Sequence, residues 1–423
     1  MSEEQKINEE STLWEFISDV HKYVNELSGI RIIFKRVGLR YPAYVEEERK
    51  KRSKEFLEKT EKYTDDKNNV YYRVIKTCDL EFLNRRRIEF EKMYTSKNEI
   101  CRSLFISIVS KFDAFVAYTI KFILKNYKDA RLSSNTQVNF SEIEKYSTIE
   151  DLRNVMIDKI AEDELYGTHA DFIASIQKHA KIDLKLTSLD FWSRYIELTE
   201  RRNLFVHCDG IVSQKYINVC SQHNALSENI ELKTKLTLDE TYFHEAYRTL
   251  VVLNVIIAFR IVLKIFPTQK NRIYSELTNL TYMLIYDEEF DLAVDLLTYF
   301  TNQSFIRKEI NDETYRRWII NLAQAFKWSG KSKDCLTILN GVQWSASSNI
   351  FKLAYYVLCD DIDKVLNLMP KMKHEETFSN KFYMEWPLFK EIKKIDKFQK
   401  KYEELYNEKF ELGPQPIPQK DLF

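Results

Sequence analysis

From about Asn98 to Tyr127 the chain carries Leu104, Ile108, Phe112, Phe115, Ile120 and Ile123, mostly at steps of three and four. That period puts them on one face of a helix. The pattern recurs along the chain. Leu13, Trp14, Phe16, Ile17, Val20, Tyr23 and Val24 follow a Ser11-Thr12 cap. Phe191, Trp192, Tyr195, Ile196 and Leu198 follow Ser188 or Asp190, either of which can cap a helix. A strongly apolar stretch from Thr241 to Phe266 follows Thr237-x-x-Glu240, a capping-box spacing, and should pack across the 191–207 helix. Seven glycines and seven prolines in 423 residues exclude a turn-rich all-β fold. The expected class is all-α: a mainly helical N-terminal region, a helical bundle and an α-solenoid. The strand-like exceptions are Ile30 to Phe34 and Val70 to Ile75.

Boundaries follow from changes in pattern. Residues 1–96 read as mainly helical, with a densely charged, solvated helix from Glu46 to Lys62 and a basic cluster at Arg85-Arg86-Arg87. Residues 97–266 form the bundle, with helices also expected at 150–162 and 170–178. Between Tyr216 and Leu238 the pattern loosens into a loop or short hairpin. Pro267-Thr268-Gln269-Lys270-Asn271 marks a break, and 267–412 read as helix pairs. Tyr286 to Ala293, Trp328 to Cys335 and Asp360 to Val365 occupy matching places, about 42 and then about 30 residues apart. These segments resemble the second helix of tetratricopeptide-type repeats, in a degenerate array. Trp386-Pro387-Leu388-Phe389 with Phe398 and Tyr402 would form a capping helix, and Trp318, Trp328, Trp344 and Trp386 read as repeat core. Pro414, Pro416 and Pro418 make 413–423 an extended tail.

One cluster carries chemistry. Glu200-Arg201-Arg202-Asn203-Leu204-Phe205-Val206-His207-Cys208-Asp209-Gly210 runs along an amphipathic helix toward a glycine. Asn203 and His207 are four apart and share a helix face, and Arg202 sits about 100° round the axis from Asn203. Arg202 can grip two phosphate oxygens and stays charged. His207 is the side-chain type suited to general acid and base work near neutrality. Asn203 can orient His207 or hydrogen-bond a phosphate. Arg201 is expected to assist in substrate binding, and Glu200 to partner an arginine. Asp113, the one carboxylate among the apolar positions of the 98–127 helix, can either orient the Arg or His or lie in solvent. Cys208 points about 100° from His207 and cannot pair with it as a nucleophile.

The segment Arg202-Asn203-x-x-x-His207 resembles the signature of the HEPN superfamily of helical ribonucleases, and its continuation to Tyr216 is similar to prokaryotic defence-type members. The resemblance implies a metal-independent endoribonuclease in which the RNA 2′-hydroxyl attacks the adjacent phosphorus. Products would be a 2′,3′-cyclic phosphate and a 5′-hydroxyl. Arg202, His207 and Asn203 would be catalytic, with no metal and no cofactor. One histidine per chain is thin for both acid and base. The resemblance answers this with a homodimer whose two motifs face one cleft. Ser103, Ser107, Ser110, Ala114 and Ala117 form a stripe of small residues that suits either core packing or such a seam. The implied role is a toxic effector in anti-phage defence (abortive infection), with the repeats binding a protein trigger or inhibitor.

Net charge is zero, 64 basic against 64 acidic residues, so RNA contact must be local. The six cysteines show no C-x-x-C pair. With the polar N-terminus they suggest a cytoplasmic protein with free thiols. Leu250 to Phe266 is the most membrane-like stretch, but Asn254, Arg260 and Lys264 interrupt it, so a buried helix is expected. His169 and Asp171 are too sparse to hold a metal. The rival reading is a non-catalytic adaptor that binds protein or nucleotide ligands through the same modules.

Overall fold

The computed structural model describes residues 3–132, 139–164, 166–227 and 229–410; the expected tail, 413–423, lies outside them. The class is all-α, with one two-stranded sheet among the described residues. The chain divides into two compact units, Met1–Ile265 and Phe266–Phe423.

In the first unit the elements are α1 (Glu3–Ile33), α2 (Arg40–Glu58), β1 (Thr60–Thr64), β2 (Val70–Val74), α3 (Asp79–Thr95) and α4 (Glu99–Asn126). They continue as α5 (Lys128–Leu132), α6 (Phe140–Ile143), α7 (Ile149–Glu164), α8 (His169–Ala180), α9 (Phe191–His207), α10 (Gln214–Gln222) and α11 (Glu240–Ile265). The helix α4 is the hub, packed by α1, α7, α8, α9 and α11. The helix α11 is buried at every position from Leu250 to Val262, which accounts for its membrane-like hydropathy. Among the described residues no single helix is long and apolar enough to cross a membrane. The helix α1 turns Leu13, Phe16, Ile17, Val20, Val24 and Leu27 inward, and Phe16 stacks on Phe122 at 3.9 Å. Its contacts with α4 and α11 make it part of the same core as α9.

Local reasons explain where the elements differ from expectation. Ile30 to Phe34 is not a strand: α1 runs on to Ile33 and passes into a π-turn, Phe34–Gly38, because Phe34 buries against Phe243 with ring centroids 3.7 Å apart. Packing overrides the β-branched preference there. Val70–Val74 is a strand and pairs antiparallel with β1, Thr60 opposite Val74. The expected capping box at Thr237 is not the cap of α11. Asp239 Oδ1 accepts the Tyr242 N–H at 2.7 Å, and the Thr237 carbonyl is taken by Arg201. Tyr216 to Leu238 is not simply a loop. Ser213 caps α10, and Ile211 then bridges antiparallel to Lys235. Thr168 and Asp171 form a reciprocal capping box at α8, so Asp171 is engaged in helix initiation.

The second unit contains α12 (Lys270–Tyr286), α13 (Phe290–Thr301), α14 (Ser304–Glu309), α15 (Asp312–Trp328), α16 (Ser332–Asn340), α17 (Asn349–Leu358), α18 (Ile362–Met372), α19 (Phe382–Glu385) and α20 (Asp396–Tyr406). Three helix pairs, α12/α13, α15/α16 and α17/α18, share one turn. Glu288, Gly330 and Asp360 each adopt positive φ (60°, 81° and 57°). The following N–H reaches back five residues in each case: Glu289 to Leu284 O, Lys331 to Phe326 O, Asp361 to Tyr356 O, at 2.8–3.0 Å. The expected capping helix is broken. Pro387 opens a 3-10 turn, and Tyr383, Phe389, Phe398 and Tyr402 cluster as rings instead. Trp318 and Trp344 are core, while Trp328 and Trp386 are only partly buried.

At Gly330 no heavy atom lies within 4 Å of an added Cβ, so Gly330→Ala tests backbone strain alone. It should destabilise the second unit by roughly 1 kcal/mol, a fall of about 2–4 °C in thermal midpoint. An unchanged midpoint in a calorimetric scan would remove the positive-φ turn as a constraint.

Candidate functional site

The motif lies on the last turns of α9, and burial divides it residue by residue. Glu197, Glu200, Arg201, Leu204 and Phe205 are buried, Arg202 and Asn203 are partly buried, and Val206 and His207 are exposed. One side of the helix is thus core and the other rim. Phe205 packs edge-on against Phe105 of α4 at 5.7 Å, which fixes the motif end of α9 beside the first half of α4.

The helix stops where the backbone turns left-handed. Asp209 has φ 48° and Gly210 φ 77°, and the Leu204 carbonyl accepts the N–H groups of both Cys208 (2.8 Å) and Gly210 (3.0 Å). A Cβ on Gly210 would stand 2.9 Å from the Phe205 ring and 3.3 Å from the Leu236 carbonyl, so this position requires glycine. Beyond it, Val212 N–H reaches Thr234 O at 2.9 Å and Leu236 N–H reaches Gly210 O at 2.9 Å. The turn brings Asp209 between two cations: its carboxylate accepts from Lys235 at 2.7 Å and Arg102 at 2.6 Å. Lys235, then Arg102, hold this carboxyl below the usual carboxylate range. The tie is complete above that range and is lost as pH falls through the lowered pKa.

Beneath the rim sits a buried polar cluster. Glu197 accepts from Arg201 Nε at 2.7 Å, Tyr216 Oη at 2.6 Å and Tyr242 Oη at 2.6 Å. The Arg201 guanidinium lies 3.8 Å from the Tyr242 ring centroid and also donates to the Thr237 carbonyl at 3.3 Å. Burial, then the charge of Glu197, pushes both phenols upward. Arg201, expected to assist in substrate binding, thus lies in this buried cluster and not at the rim. Its charge is committed to Glu197, and its side chain is only 10% exposed. Asp113 is placed 3.2 Å from His169 on α8, and the two atoms are off hydrogen-bonding geometry.

The remaining residues line up at the rim. Arg202 Nη1 donates to Asn203 Oδ1 at 3.2 Å, and Asn203 Nδ2 donates to Glu200 Oε1 at 3.4 Å. Glu200 thus reaches an arginine through Asn203. Arg202 Nε is buried without a hydrogen-bond partner. His207 makes no hydrogen bond or ion pair among the described residues. Among the described residues no group of three or more His, Cys, Asp or Glu side chains could hold a metal ion.

Arg102, Asp209 and Lys235, and the Glu197 cluster, were missed by sequence reasoning. The only signal was Arg102 on the helix facing the motif, and its partner is 107 residues away. The three arginines at 85–87 pair with Glu81, Glu55 and Glu91. No protein-family model, curated protein or solved structure matches the chain.

Glu197→Ala would leave one guanidinium and two phenol hydroxyls without their acceptor. It should cost about 3–5 kcal/mol in urea unfolding. The double replacement Glu197→Leu with Arg201→Met should recover most of that loss. A single mutant within about 1 kcal/mol of wild type would show that the cluster does not hold α9.

Proposed function

We propose that this chain is a metal-independent endoribonuclease of the HEPN type, acting in the cytoplasm as a homodimer and serving as a toxic effector in anti-phage defence. The observation that carries the reading is the division of the two arginines. Arg201 is locked inward, while Arg202 stands at the rim with Asn203, and His207 is open to solvent one turn away. The Arg202 guanidinium has an unsatisfied donor and gains by turning toward an anionic phosphate. In this mechanism Arg202 neutralises charge building on the phosphorane. Asn203, held by Glu200, positions Arg202 or the phosphate. His207 moves a proton to or from the reacting oxygens.

The α4 stripe supports the dimer. Ser103, Ser110 and Ala114 are exposed, and Ser107 and Ala117 are only partly buried, so the stripe is not filled by the core of its own chain. A close two-fold seam there would run beside the motif end of α9. Each composite cleft would then draw on two histidines.

Two outcomes test this reading. The wild-type chain should cleave single-stranded RNA in EDTA, and Arg202→Ala or His207→Ala should each lose at least ~100-fold with the fold intact. Full activity in both variants would contradict it, and RNA or protein binding without cleavage would favour the adaptor. Second, wild type should sediment as a dimer, and Ala114→Trp, on an exposed position, should give a folded monomer with lost cleavage. A fully active monomer would remove the shared site.

A further inference from the structure

The second unit holds an open cavity of about 820 Å³ between α12, α15, α17 and the segment 375–386. Its volume falls within the range of binding pockets. Its chemistry is lopsided. Tyr282, Phe351, Phe378, Phe382 and Trp386 supply aromatic wall. Four carboxylates line it, Asp312, Glu313, Glu375 and Glu385, against two arginines, Arg316 and Arg317. Both arginines are neutralised locally: Asp312 accepts from Arg316 at 2.6 Å, and Glu313 from Arg317 at 2.6 Å. Two carboxylates remain in excess. The Glu375 side chain accepts only the Asn349 amide, at 2.6 Å, and the Glu385 side chain makes no hydrogen bond or ion pair among the described residues. Glu385 nevertheless lies close enough to the Tyr282 phenol to help push its pKa upward, after burial and Tyr286.

A second, independent feature points to a ligand. Asn321 is 7% exposed, lines the cavity, and makes no side-chain hydrogen bond among the described residues. With no side-chain partner, the Asn321 amide on the cavity lining is available to a ligand that brings a donor to its oxygen.

We propose that this cavity binds a guanidinium or primary ammonium group on an apolar stem, with Glu385 as counter-ion, Asn321 Oδ1 as acceptor and the aromatic wall against the stem. Aromatic faces attract cations, and the surplus carboxylates reject anions. The cation can come from a peptide side chain or from a free small molecule. The proposal concerns the second unit and does not rest on the nuclease reading.

The test is binding to the full-length protein at moderate salt, with three probes: a fluorescein-labelled tetra-arginine peptide, arginine amide and a labelled tetra-glutamate peptide. Wild type should bind a cationic probe and not the acidic one. Glu385→Lys, an exposed position, and Asn321→Leu should each weaken binding about tenfold or more. Binding of both cationic probes assigns a free small cation as sufficient, and binding of the peptide alone assigns a peptide segment. If Asn321→Leu fails to fold by circular dichroism, Glu385→Lys decides alone. No cationic binding, equal binding by wild type and Glu385→Lys, or preference for tetra-glutamate would overturn the proposal.

Discussion

The arrangement around the motif depends on one buried carboxylate. Glu197 collects a donor from each of three elements: Arg201 on α9, Tyr216 on α10 and Tyr242 on α11. Burying a carboxylate and a guanidinium is costly, and the cost is offset only when the hydrogen-bonding capacity is met. Here two phenols and an aromatic face complete it. Once Arg201 is drawn inward, helical geometry sets the rest. Arg202 must emerge about 100° away, Asn203 another 100° on, and His207 one turn beyond Asn203. The rim chemistry is thus a consequence of the core.

The end of α9 is fixed by different means. Gly210 closes the turn because the Phe205 ring leaves no room for a side chain. The turn delivers Asp209 to Arg102 and Lys235. That tie joins α4, the helix terminus and the 233–236 segment. His207 therefore stands at a braced edge and not on a loose terminus, a setting that fits the proton-transfer role proposed for it.

Much of the fold was legible because it follows from period. The helices observed at 99–126, 191–207 and 240–265 are close to the spans their apolar spacing implied. The three positive-φ turns that join the helix pairs of the second unit fall within the three segments whose sequences matched. What was illegible was non-local. Arg201 and Arg202 are identical neighbours in sequence, and only burial gives them opposite surroundings. Glu197 is a plain helical glutamate until Tyr216 and Tyr242, 19 and 45 residues away, fold onto it. Ile30 to Phe34 looked extended because propensity cannot anticipate Phe243. Thr237 had the capping spacing with Glu240, but the helix begins only at Glu240, and Asp239, directly before it, takes the Tyr242 N–H as its cap. Spacing alone could not tell that Ser103, Ser110 and Ala114 of the α4 stripe lie exposed and outside the core of their own chain.

The central claim is that Arg202, Asn203 and His207 direct the RNA 2′-hydroxyl at its own phosphodiester. Product-end analysis addresses it most directly. A DNA oligonucleotide carrying one internal ribose is incubated with the purified protein in EDTA, and the products are weighed by mass spectrometry. The account predicts scission only after the ribose, leaving a 2′,3′-cyclic phosphate and a 5′-hydroxyl, and no scission of the all-deoxy strand. A 3′-hydroxyl with a 5′-phosphate, cleavage of the all-deoxy strand, or an intact oligonucleotide under conditions in which the protein is folded would contradict it.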